Sequence, residues 1–73
     1  MGWIKNTNKE KPEVDTRYKK HKYSVNVLIH IRGGLTFIGY WDYDEGCWYA
    51  DTISIDDEKV VFWCNIPKLP KLA

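Results

Sequence analysis

The sequence predicts a small all-β domain, a three- to four-stranded antiparallel meander with at most one short N-terminal helix. Three observations predict it. Residues 24 to 31 alternate, with Val25, Val27, Ile29 and Ile31 on one side and Asn26, Leu28 and His30 on the other; period-two alternation marks a strand. Glycine-bearing turns, Arg32-Gly33-Gly34 and Asp44-Glu45-Gly46, separate this run from two more strand-like runs. Glycine supplies the positive φ that tight hairpins demand. Finally, four Trp, five Tyr and two Phe stand among 73 residues, and aromatic side chains let a short chain bury much apolar area.

Taken in order, residues 1 to 4 are apolar and anchor-like, and residues 5 to 22 are polar around Pro12. Val14, Tyr18 and His21 have the spacing of one or two helical turns. The first strand ends at the Gly33-Gly34 turn, and the second runs from Leu35 to Asp42. A two-residue loop at Gly33-Gly34 pairs Ile29 with Ile38 and Val27 with Tyr40. It sets His30 against Phe37 and Asn26 against Trp41 on the other face, and a one-residue slip would exchange the faces. Asp42 to Gly46 is the second turn. Cys47 to Asp51 is the third strand, with Trp48 and Ala50 opposite in facing to Cys47 and Tyr49. Residues 54 to 59 read as a polar connection and Val60 to Cys64 as the fourth strand. Ile66-Pro67-Lys68-Leu69-Pro70 must leave the sheet, because proline offers no amide donor. Trp63, together with Trp3, is expected to staple the ends of the meander.

The chain is a single domain, 1–73, too short for two. Its formal charge of +1 hides an asymmetry. Residues 5 to 22 hold seven Lys/Arg against three acids, whereas residues 42 to 59 hold seven acids against Lys59. That balance argues against a duplex-DNA binder, which is basic over a whole face. The sequence carries no run of the roughly 20 apolar residues that cross a membrane as a helix, and no secretory signal is legible. A cytoplasmic protein is therefore expected, with Cys47 and Cys64 as free, packed thiols. The third and fourth strands could be neighbours, which would leave an incidental disulfide open.

Several short motifs resemble a family of phage and prophage proteins known as domain of unknown function 551. Trp3-Ile4 resembles its opening pair, and Pro12-Glu13-Val14 its early proline element. Gly39-Tyr40-Trp41-Asp42 and Gly46-Cys47-Trp48 resemble its aromatic middle. Val60-Val61-Phe62-Trp63 with Cys64-Asn65-Ile66-Pro67 resembles its closing motif, with Asn65 where the family usually has proline. The resemblance implies a β-rich domain and a phage or prophage setting within a bacterial host cell. It implies no activity.

The residues point to binding without catalysis. No nucleophile-base pair or paired acid-base set can be picked out, and His21, His30, Cys47 and Cys64 match no zinc spacing. Asp42-Tyr43-Asp44-Glu45-Gly46 lacks the ligand count of a calcium loop. No metal and no cofactor is expected. The candidate ligand-binding residues are Trp41, Tyr43 and Trp48, with Tyr49 beside them, for stacking. Arg32 and the basic residues Lys19, Lys20 and Lys22 are the candidates for negative charge. The expected ligand is a host protein or a nucleotide-like small molecule, with a counter-defence role in prospect. The alternative is a single-stranded nucleic acid held by exposed aromatics and the 17–22 basic run. A surplus of aromatics over one small core also suggests a homo-oligomer.

Overall fold

In the computed structural model, which describes residues 2–67, the strand-like runs become β2 (Val27–Ile31), β3 (Thr36–Asp42), β4 (Cys47–Ala50) and β6 (Val60–Asn65). Two short strands join them, β1 (Ile4–Lys5) and β5 (Ile53–Ile55). All six form one antiparallel sheet in the order β1-β6-β2-β3-β4-β5. The all-β expectation holds, and the strand count and topology are corrected. Strands β2 to β5 do follow one another as a meander. β6 instead returns across the sheet to pair with β2, and β1 pairs with the far side of β6. The apolar face of β2 explains the return: Ile29 needs cover from both flanks, and β6 brings Trp63 directly opposite it. Residues expected to be a polar connection contain the greater part of β5 and one 3-10 turn, Asp57–Lys59.

The short N-terminal helix is also corrected. Val14 bridges to Ser24, and Tyr23 bridges to Asp42, so the arm and the segment before β2 run extended along the end of β3. Pro12 favours this path, because the residue before a proline is pushed out of the helical region. Ile66 and Pro67 follow β6 without extending it. Pro70, and with it most of the expected proline-rich tail, lies outside the described residues.

The hairpin register differs from expectation by one residue. Val27 pairs with Gly39, Leu28 with Ile38, Ile29 with Phe37 and His30 with Thr36. The turn causes the shift. It spans Arg32, Gly33 and Gly34: the Ile31 amide donates to the Leu35 carbonyl, and the Gly34 amide to that of Ile31. Gly33 and Gly34 both have positive φ, 107° and 100°. One extra loop residue turns every β3 side chain over. Gly39 and Trp41 therefore face the core, and Ile38 and Tyr40 face away. Gly39 sits against the β4 backbone so closely that a Cβ would run into the Tyr49 carbonyl oxygen.

One face of the sheet holds the core: Val27, Ile29, Trp41, Trp48, Ala50, Val60 and Trp63, with Ile4, Val25, Ile31, Tyr43 and Ile55 packed against them. The N-terminal arm lies over it. Trp63 donates its indole N–H to the Glu10 carbonyl, and the Tyr43 hydroxyl donates to that of Pro12. Lys11 enters the core itself. Its ammonium lies 4.3 Å from the Trp41 ring centroid and 5.4 Å from that of Trp48, and pairs with Asp57 at 2.7 Å. Asp57 Oδ1 also accepts from Asn6 and from the Trp48 indole. A charge on a side chain only 8% exposed is tolerable because it is paired and set against aromatic faces.

Candidate functional site

The expected site residues are dispersed by this architecture. Trp41 and Trp48 are core residues, their rings meeting edge-on at 5.1 Å between centroids. Trp48 is completely buried. Tyr43 is half-buried and ties the arm down through Pro12. Their stacking surfaces are used inside the fold because the register places Trp41 opposite Trp48 on the covered face. Lys19, Lys20 and Lys22 are exposed. Lys22 leads into the sheet end: its carbonyl accepts from the Tyr43 amide, its own amide donates to Asp44, and its ammonium lies 4.9 Å from the Tyr43 ring centroid. Arg32 is exposed in the β2–β3 turn, at the other end of β3. A seven-residue strand separates it from Lys22, a distance of about 20 Å.

The structure brings together a different set. Across the open face, Tyr49 on β4 stacks with Tyr40 on β3 at 5.6 Å and 23°. Tyr40 meets Tyr23 at 5.3 Å. Tyr23 in turn stacks with His21 at 5.5 Å and 21° and takes Tyr18 edge-on at 5.5 Å. The row follows from pairing, since Tyr40 is the cross-strand partner of Tyr49 and Tyr23 bridges to Asp42 beside it. A recess of about 120 Å³ opens at its inner end, lined by Asp15, Arg17, Tyr18, Tyr23, Ser24, Asn26 and Tyr40. Four of the five tyrosines thus lie together, and of the four only Tyr49 stood beside the expected stacking residues. Tyr49 was visible as part of the aromatic middle. The signal for the others was present: Tyr18 and Tyr23 bracket the lysines, and Tyr40 and Tyr49 alternate against Trp41 and Trp48.

Charge at this recess is ordered. Arg17 grips Asp15 with a fork, Nη2 to Oδ2 at 2.6 Å and Nε to both oxygens at 3.0 and 3.1 Å. The side-chain hydrogen bonds from Arg17 hold the Asp15 carboxyl below its ordinary value, and Asp15 raises Arg17 in turn. The guanidinium is thereby fixed at the rim while its side chain stays largely exposed. Burial raises the hydroxyls of Tyr23 and Tyr40, and the hydrogen bond to Glu45 raises that of Tyr49, so all three remain neutral donors at physiological pH. The neighbouring acids are engaged. Asp42 caps the Asp44 and Glu45 amides, Asp44 accepts from the Lys22 amide, and Glu45 accepts from Tyr49. Among the described residues, ion pairs involve only Lys11 and Arg17 of the cations.

The rest of the molecule offers little chemistry. Burial pushes the Cys47 thiol up, which disfavours the nucleophilic thiolate. The cysteines are free, Cys64 buried and Cys47 half-buried. Strands β2 and β3 lie between β6 and β4, a separation of about 14 Å that no disulfide spans. The strand order thus excludes the incidental disulfide that the sequence left open between Cys47 and Cys64. Among the described residues, no group of three or more His, Cys, Asp or Glu is placed to hold a metal, and no helix is long and apolar enough to cross a membrane. Comparison with family models, with curated proteins and with solved structures finds no match.

Proposed function

We propose that the chain is a non-catalytic binding protein that takes a planar, negatively charged, nucleotide-like ligand on the tyrosine row. The observation that carries this reading is the juxtaposition of Tyr18, Tyr23 and Tyr40 with Arg17 around one recess, with Tyr49 extending the row by stacking on Tyr40. A flat ring stacks on such a row irrespective of its edge pattern. The neutral hydroxyls of Tyr23 and Tyr40 supply donors and Arg17 supplies positive charge at the recess, with the exposed Lys19 and Lys20 following it closely in the chain. A guanidinium already fixed by a carboxylate loses little freedom on meeting a phosphate. In this reading the protein is a phage or prophage accessory acting in the bacterial cytoplasm, and it withholds such a ligand from a host response. The motif resemblance alone supports the phage setting.

Calorimetry with nucleotides and cyclic dinucleotides at low salt tests the reading. Tyr40→Ala should weaken binding about tenfold or more, since a stacked base contributes about 1–3 kcal/mol. Lys19→Ala and Lys20→Ala should weaken it mainly at low salt, as screened surface charges do. No heat with any member of the panel would defeat the proposal and leave a host protein as the candidate partner, to be sought by affinity capture.

A further inference from the structure

The open face does not end at the tyrosine row. At its other corner Trp3, which precedes β1, meets His30 of β2 edge-on at 5.9 Å and 62°. Trp3, His30, Thr36 and Phe62 line a second hollow of about 390 Å³, wide open to solvent. Trp3 is 47% exposed and Phe62 38%, a large outlay of aromatic surface for a domain that needs aromatics in its core. His30 is anchored by a hydrogen bond between Nδ1 and the Thr36 hydroxyl at 2.9 Å. Between the two corners the face presents Leu28 and Ile38, the latter 61% exposed. Lys5 stands beside Phe62 as the cross-strand neighbour and is exposed.

Tyr40 and Phe62 are separated by two strand spacings and four residues of rise, a diagonal of about 16 Å. One nucleotide on the tyrosine row cannot reach the second hollow. We infer that the open face is a stacking track for a single-stranded oligonucleotide, with one base station at Tyr18, Tyr23, Tyr40 and Tyr49 and a second at Trp3, His30 and Phe62. This rests on the proposed tyrosine-row binding and extends it from a single nucleotide to a strand. The aromatic stations and the cations beside them select the occupant. Both stations are aromatic, as a ligand of repeated flat rings requires. An exposed cation stands at each, Arg17 at the rim of the first, where it is also paired with Asp15, and Lys5 beside Phe62 at the second. The separation suits the lower part of the roughly 4–16 nucleotides that a small β-sheet binder covers.

Fluorescence anisotropy with labelled thymidine monophosphate and oligo-dT of four, eight and twelve nucleotides tests the track at low salt. Affinity should rise steeply between the mononucleotide and the octamer and then level off. Trp3→Ala should weaken octamer binding about tenfold and leave the mononucleotide unchanged, whereas Tyr40→Ala should weaken both. Phe62→Leu keeps apolar bulk without a ring and provides the same readout should Trp3→Ala lose the fold in a thermal melt. Equal affinity for mononucleotide and octamer, or an octamer indifferent to Trp3→Ala and Phe62→Leu in folded protein, would overturn the track while leaving the tyrosine-row reading intact. No binding of any probe, mononucleotide included, would remove both. Light scattering showing twice the 8.7 kDa chain mass, reverting to one on Trp3→Ala, would overturn the track in favour of a second copy on this face.

Discussion

The two faces of the sheet use aromatic residues in opposite ways. The covered face takes three tryptophans, Trp41, Trp48 and Trp63. Each has a large ring to bury, and Trp48 and Trp63 send their indole N–H groups to Asp57 and to the Glu10 carbonyl. The open face takes tyrosines, whose hydroxyls reach water or a surface carboxylate while their rings pack on one another. Trp3 is the exception, exposed on the open side against His30. The contrast teaches that aromatic content alone says nothing about binding. What matters is whether an arm lies over the ring, and here the N-terminal arm, held by Pro12, Lys11 and Glu10, decides it.

Trp63→Ala should be the most damaging single change, costing about 3–5 kcal/mol, the range for emptying a large buried aromatic site. That approaches the whole stability of many small domains, so the variant should be largely unfolded by circular dichroism at 37 °C. A melt within a few degrees of wild type would erase the inequality of the two faces.

Asp57→Ala should follow, at about 3 kcal/mol. Removing one partner of a buried pair strands the other charge, and the figure falls at the low end because the Asp57 side chain is 32% exposed. The same group gives the arm a pH dependence. Burial would raise the Asp57 carboxyl, but hydrogen bonds from Asn6, Lys11 and Trp48 outweigh it and hold the group below its ordinary 3.8. A carboxylate depressed by folding contributes stability that is complete above its unfolded value and lost as pH falls through the folded one. Denaturant midpoints should therefore drop below about pH 4, and the drop should shrink in Asp57→Asn. An unchanged acid profile in Asp57→Asn would mean that the Lys11 contact does not hold the arm.

On the open face, Tyr49→Ala should cost only about 1 kcal/mol, the worth of one aromatic pair and a surface hydrogen bond. Urea unfolding measures it, and a loss comparable to that of Trp63→Ala would show that the tyrosine row is core in all but exposure. The smallest effect belongs to reductant, which should leave the melting temperature unchanged. Thiol titration of unfolded, unreduced protein should find two thiols, because β2 and β3 keep Cys47 and Cys64 apart; finding none would contradict the strand order.

Much of the fold was legible as local pattern. Alternation in residues 25 to 31, the glycine turns and the run Val60 to Cys64 located four of the six strands, since side-chain period and turn chemistry are written in adjacent residues. The short strands β1 and β5 were not legible: two or three residues show no period, and they exist as strands through pairing with β6 and β4. The candidate site was half legible. The aromatic middle and the basic run stood out by composition, but which aromatic rings are covered and which are exposed could not be read from them.

By itself the sequence determined an all-β domain, its turns, its aromatic core material and the clustering of positive charge at 17–22. Tertiary structure alone decided three further things. It inserted β6 between β1 and β2, because the apolar side of β2 demanded a neighbour that no local signal names. It folded the arm across one face, through contacts such as Lys11 with Asp57 that lie 46 residues apart. And it set the hairpin register through a three-residue turn, where one residue more or less exchanges every side chain between faces. That last choice sent Trp41 into the core and Tyr40 to the surface, and so fixed which ring a ligand can meet.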